Sequence, residues 1–203
     1  MEASIHSIFP TPIYISKLNR ELTNKELSFI DKTKLDIYKN QGNTTSNDNY
    51  ILNNKLFKDL KTDLDLRVKD YFDKVISPSN NITPYITQSW LNYTETNQYH
   101  HKHQHPNSLV SGVFYINSNE EHDKITFFND TYKTIKPEIK DWNIWNSESW
   151  WFSVKSGDII LFPSSLAHMV ETKKGTNTRI SLAFNVFVKG TIGKNKDLTE
   201  LII

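Results

Sequence analysis

Cysteine is absent from the 203 residues, which excludes disulfides, thiolate metal sites and cysteine nucleophiles together. No segment approaches the roughly 20 consecutive apolar residues of a membrane span. The opening MEASIHSIFPTPIYISKL has neither a basic stretch nor an unbroken apolar one, so no signal peptide is expected and a cytoplasmic location is the natural expectation. An excess of either charge is missing as well: 24 basic residues meet 23 acidic ones, for a net charge of +1. No basic stripe interleaves with aromatics, so neither nucleic acid nor a membrane is expected as a partner. What is present is core-forming material, 37% hydrophobic and 12% aromatic residues. That suffices for a globular core, and neither an internal repeat nor a low-complexity linker divides the chain.

The first 80 residues read mainly as helical. Ser7–Leu18 is β-rich, with Pro10 and Pro12 confining it to a sheet edge. LTNKEL then offers a capping box, Thr23 as N-cap and Glu26 three residues on, with Leu22 and Leu27 as a hydrophobic staple. A helix is expected from about Asn24 to Tyr38, then a polar loop, NQGNTTSNDNY. A second helix is expected to carry Leu56, Leu60, Leu64, Val68, Tyr71 and Val75 on one stripe. After Pro78 the pattern changes to short β segments: Tyr85–Tyr93, Leu109–Asn117, Ile125–Phe128, Trp150–Val154, Asp158–Phe162, His168–Thr172 and Thr178–Val188. KSGD (155–158) and KKGTN (173–177) read as hairpin turns. These elements predict an α+β protein, a single domain over 1–203, with a helical support (1–80) packed on one sheet of a jelly-roll core (81–190).

Four of the seven histidines fall in YHHKHQHPNS (99–108). In an extended segment His101, His103 and His105 share a face while His100 points away. Two imidazoles spaced i and i+2 can chelate side by side, and His168, just after a proline-containing loop, is a distant third. Such a set leaves coordination positions open and suits iron, copper, zinc or nickel. His101 with His103 is a lesser alternative pair. Arg179 follows His168 by 11 residues, across what reads as a hairpin. Its planar fork suits a carboxylate, and Ser181 shares its face.

FPTPIY (9–14), HQHPNSLVSGVFY (103–115) and FPSSLAH…RISLAFN (162–185) together resemble the 2-oxoglutarate/Fe(II)-dependent dioxygenases. The resemblance spans nearly the whole chain and implies a double-stranded β-helix, jelly-roll and cupin-like. It implies Fe(II), 2-oxoglutarate as cosubstrate and O2, with hydroxylation of a substrate and release of succinate and CO2. His103 would be the first ligand, His105 would stand where the superfamily has Asp or Glu, and His168 would be the distal histidine. Arg179, helped by Ser181, would hold the far carboxylate of 2-oxoglutarate; Asn92 and Tyr99 compete for a further cosubstrate contact. The missing carboxylate is a departure, and His105 outside the ligand set is the other possibility.

Four of the five tryptophans lie in DWNIWNSESWWF (141–152), at the end of a long connection, which suggests a wall over a substrate mouth or, alternatively, core and loop packing. The expected substrate is a small molecule or a protein side chain, and a homo-oligomer is compatible with the sequence. A cupin-like metal-binding protein, an isomerase or binding module, would explain the histidines without Arg179 and Ser181. A non-enzymatic β-sandwich module would leave both sets unexplained.

Overall fold

A computed structural model describes residues 1–129, 135 and 137–203. Two antiparallel sheets face one another. The chain first forms strand β1 (Tyr14–Lys17), helix α1 (Asn24–Thr33), strands β2 (Ile37–Lys39) and β3 (Thr44–Ser46), and helix α2 (Lys58–Tyr71). Strands β4 (Ile82–Thr94), β5 (His100–His103), β6 (Val110–Asn117), β7 (Lys124–Phe128) and β8 (Ser149–Ser153) follow. The last are β9 (Asp158–Pro163), β10 (His168–Val170), β11 (Arg179–Ile192) and β12 (Leu201–Ile202). The larger sheet runs β1-β9-β6-β11-β4-β3-β2, with β12 beside β11; the smaller runs β5-β10-β7-β8. Among the described residues no helix is long and apolar enough to cross a membrane.

The capping box forms as the sequence demands: Thr23 Oγ1 accepts from the Glu26 N–H at 3.2 Å, and the Thr23 N–H donates to Glu26 at 2.7 Å. Helix α1 nonetheless stops at Thr33, five residues short of expectation. Ile37 and Tyr38 leave it to pair with Ser46 and Thr45 in a hairpin, so part of the supposed polar loop is strand. Gly42 makes that hairpin possible: its φ is +95°, and a Cβ there would lie 2.5 Å from the Tyr99 carbonyl oxygen. The stripe of α2 also shifts. Leu60, Leu64, Val68 and Tyr71 are buried, but Leu56 and Val75 are exposed, and Phe57 and Phe72 take their places. A 3-10 turn before α2 and a π turn after it change the angular step that a 100° wheel assumes.

The larger sheet is covered on both faces, and strict alternation sorts its side chains. On the outer face Leu91, Tyr93, Phe114, Ile159, Leu161, Leu182 and Phe184 pack against α1 and α2 in one core. Gly112 belongs to that face, where any Cβ would collide with the Phe184 ring. On the inner face Val113, Tyr115, Ile160 and Phe162 meet Ile125 and Phe127 of the smaller sheet in a second core.

Both expected hairpin turns are instead corners. KSGD joins β8 to β9 and KKGTN joins β10 to β11, and in each case the two strands lie in different sheets. The chain crosses between layers there, as the double-stranded β-helix requires. The N-terminal 80 residues supply strands to the larger sheet as well as helices: β1 pairs with β9, and β3 with β4.

Candidate active site

The inner face of the larger sheet turns polar at one end. Register places Thr45, Asn92, Ser181 and Tyr115 in one row across β3, β4, β11 and β6. The next row pairs Thr94 with Arg179, and the row on the other side pairs Trp90 with Ala183 and Val113. Asn92, Thr94, Arg179 and Ser181 are all buried. Polar groups at positions where alternation demands apolar ones are costly unless they serve one another or a ligand. Thr45 donates to Asn92 Oδ1 at 3.2 Å, and Arg179 donates to Thr94 Oγ1 at 3.1 Å.

The histidines approach from the smaller sheet. His103 on β5 lies directly across from His168 on β10, and their rings are 4.3 Å apart. His103 Nδ1 is 2.7 Å from the His101 carbonyl, and His168 Nδ1 is 3.0 Å from that of Leu166. A carbonyl only accepts, so both Nδ1 atoms carry the proton and each Nε2 carries the lone pair. His105 follows β5, and its Nε2 is 3.3 Å from that of His168. One ring nitrogen from each of the three lies within 4.8 Å of the others. Burial, reinforced by neighbouring imidazoles, holds His105 down to about 4 and His168 down to about 3, and lowers His103. All three are therefore neutral near pH 7, the form that ligates a metal.

Much of the motif around them is scaffolding. The His105 N–H donates to the Ser164 carbonyl at 3.0 Å. Ser164 Oγ donates to Ser108 Oγ at 2.8 Å and also lies 2.8 Å from Ser111 Oγ, which donates to Asn185 at 3.2 Å. The serines of PNS, SG and PSS and the asparagine of AFN thus join into one hydroxyl network under His105, tying β6, β9 and β11 together.

His103, His105, His168, Asn92, Arg179 and Ser181 line one cavity of about 500 Å³, counted out to open solvent. Tyr99 does not line it: its ring packs on Gly42, and the residue is partly exposed. His100, expected to face away, lines it instead and stacks on His103 at 4.5 Å. The reason is a bulge: His103 opposes His168 but His100 opposes Val170, so three steps on β5 match two on β10 and the alternation slips by one. Asn40 at the tip of the β2–β3 hairpin meets His100 Nε2 at 3.3 Å, and burial pushes that imidazole down to about 2. A second group of histidines, His100, His101 and His103, also brings ring nitrogens within 4.8 Å.

Sequence reasoning also missed Tyr115, Trp90, Asp123 and Lys173. Tyr115 and Trp90 line the cavity. Asp123 Oδ1 is 3.0 Å from Lys173 Nζ and 4.0 Å from Arg179 Nη1, and all three side chains are almost wholly buried. Burial lowers the Arg179 pKa, with Tyr115 and Asp123 opposing it. Of the Trp-rich stretch, Trp142, Trp145, Trp150 and Trp151 are exposed and none lines the cavity. The start of the connection before it (130–134 and 136) lies outside the described residues.

A family model described as "Putative 2OG-Fe(II) oxygenase" matches residues 88–185. No curated protein sequence matches the chain. Among solved structures the chain is similar to HygX from Streptomyces hygroscopicus, determined with nickel, 2-oxoglutarate and hygromycin B bound. The TM-score is 0.56 at 15% identity, over 87% of this chain and 82% of that one. It is similar to a Pseudomonas putida prolyl-4-hydroxylase, with a TM-score of 0.56 at 10% identity over 86% and 92% of the two chains. It is also similar to SnoN, a non-heme alpha ketoglutarate dependent epimerase from nogalamycin biosynthesis, with a TM-score of 0.59 at 9% identity over 89% and 81%. The chain has the double-stranded β-helix fold of these proteins, and the family match falls on the segment that holds the three histidines, Asn92, Arg179 and Ser181.

Proposed function

We propose that this protein is an Fe(II)- and 2-oxoglutarate-dependent dioxygenase that hydroxylates a small molecule or a protein side chain. One observation carries the reading: three neutral imidazoles line the same cavity as a buried arginine, which with Lys173 makes two cations around the single carboxylate of Asp123. The donor set fits the metal. Carbonyls fix the protons of His103 and His168 on Nδ1, so that each carries its lone pair on Nε2, and His105 stands beside them on its hydroxyl network. With His105 in place of a carboxylate the protein ligands are all neutral, so the ion's charge is left for an anionic cosubstrate to meet.

The bound iron, with 2-oxoglutarate and O2, would supply oxidation of a substrate C–H bond coupled to decarboxylation of the cosubstrate to succinate and CO2. The chain's own work is binding and exclusion. Arg179 takes the far carboxylate through its planar fork, held in place by Thr94. Ser181 and Asn92, one register row away, offer a hydroxyl and an amide, and Tyr115 adds a hydroxyl from β6. Phe162 and Phe127 pack around His168 and keep water from that side. Tyr99, on the Gly42 side of the hairpin, takes no part.

Thermal shift with Mn(II) in place of iron tests the reading. Ligands of the native state stabilise by mass action, so metal with 2-oxoglutarate should raise the melting temperature beyond metal alone. Formation of succinate from 2-oxoglutarate in the presence of Fe(II) and O2 is the second readout. Metal stabilisation with indifference to 2-oxoglutarate would favour the cupin-like alternative, and no response to metal would refute both.

A further inference from the structure

Beneath Arg179 lies an ion cluster that binding of a carboxylate does not by itself require. Lys173, in the corner between β10 and β11, has a side chain with 0% exposure. Its Nζ donates to Asp123 Oδ1 at 3.0 Å and to Asn177 Oδ1 at 2.9 Å. Asp123, 1% exposed, also accepts from the Asn119 N–H at 2.8 Å. The same Oδ1 lies 4.0 Å from Arg179 Nη1. Glu95, a second carboxylate near Lys173 among the described residues, is partly exposed and ion-paired with Lys34 at 2.7 Å.

Two buried cations therefore share one buried anion. A fully buried lysine is costly to keep, and Asp123 with Arg179 alone would make a simpler neutral pair. Lys173 instead claims the carboxylate at the shorter distance and leaves the guanidinium only loosely compensated. We infer that Lys173 is a positioning residue: by occupying Asp123 it preserves a net positive charge on Arg179 and makes this end of the cavity selective for a 2-oxo acid with a second, distal carboxylate. The inference rests on the assignment of Arg179 to the cosubstrate made above. In the absence of Lys173, Asp123 is free to close on Arg179 and neutralise it, in direct competition with the ligand.

Counting charge makes the test decisive in sign. Lys173→Met leaves one cation and one anion, whereas Lys173→Met with Asp123→Asn leaves Arg179 alone and restores the single positive charge. Calorimetric titration of 2-oxoglutarate into the full-length, Mn(II)-loaded protein should show about a tenfold or larger loss of affinity for Lys173→Met. The double variant should return to within about threefold of the unsubstituted protein. Mn(II) affinity should be unchanged throughout. If Lys173→Met alone fails to fold, Lys173→Gln, which removes the same charge and keeps a hydrogen-bond donor, takes its place with the same expected loss and the same refuting outcomes. An unchanged affinity in Lys173→Met, a double variant as weak as the single one, or a parallel loss of Mn(II) binding would each overturn the inference. An unsubstituted protein that binds Mn(II) but not 2-oxoglutarate would overturn the proposed activity first, and this inference with it.

Discussion

Replacing Arg179 by methionine separates a ligand-binding charge from a structural one. The guanidinium is 4% exposed, donates to Thr94 Oγ1 at 3.1 Å and stands 4.0 Å from a carboxylate that Lys173 already holds at 3.0 Å. Truncating one partner of a buried, hydrogen-bonded charge pair costs about 2–5 kcal/mol of binding. At 1.36 kcal/mol per factor of ten, 2-oxoglutarate affinity should fall by about 30-fold at the lower bound. The metal-free protein should behave differently. Burial dominates the electrostatics of Arg179 and lowers its pKa, so the folded state holds this charge at a cost. Methionine of similar volume removes that cost, while Thr94 loses a donor worth about 1 kcal/mol. The net change in stability should stay within about 1 kcal/mol, or a few degrees in Tm. Titration calorimetry on the Mn(II)-loaded protein and scanning calorimetry on the chelator-treated protein give the two numbers. An unchanged 2-oxoglutarate affinity refutes the carboxylate role. A large fall in Tm shows that Arg179 is held for the fold.

Three further outcomes are expected. His103→Ala or His168→Ala should each abolish stoichiometric Mn(II) binding, read by equilibrium dialysis, while far-UV circular dichroism stays native; full occupancy in both would refute the ligand set. The metal-free protein should lose stability as pH falls from about 6.5 towards 4: the unfolded histidines take up protons near their ordinary value, whereas burial keeps folded His105 neutral down to about 4 and His168 down to about 3. The unfolded state then binds more protons, so stability rises with pH across that window; melts of His105→Gln with His168→Gln should show a flatter slope, and an unaltered slope counts against the assignment. Leu64→Ala, at a fully buried position of α2, should cost about 2–5 kcal/mol in urea unfolding. A cost below about 1 kcal/mol would show that α2 is not part of the core.

Local chemistry was legible where neighbours in the chain determine it. The Thr23–Glu26 box, the Leu60–Leu64–Val68–Tyr71 stripe and the strands of the core all follow from periodicity and capping, which need only adjacent residues. His103, His105, His168, Arg179 and Ser181 were marked out by spacing, and they do meet in one cavity. His100 was misjudged because alternation is a rule about unbroken strands, and one bulge against β10 reverses its sense. Tyr99, which the resemblance set against Asn92 as a competing cosubstrate contact, does not line the cavity and packs on Gly42 instead.

The sequence by itself determined the two main helices, most strands of the core, and which residue types could hold a metal and a carboxylate; it missed β2, β3 and β5. Only the tertiary structure decided where the turns KSGD and KKGTN send the chain, because a hairpin and a corner differ in the strand that waits on the far side. It also decided the company Arg179 keeps. Asp123 lies 50 residues from Lys173 along the chain, and no local pattern announces an ion pair formed by closing so long a loop. Burial of two cations around one anion is a property of packing, and the charge left over is what the cavity offers to a ligand.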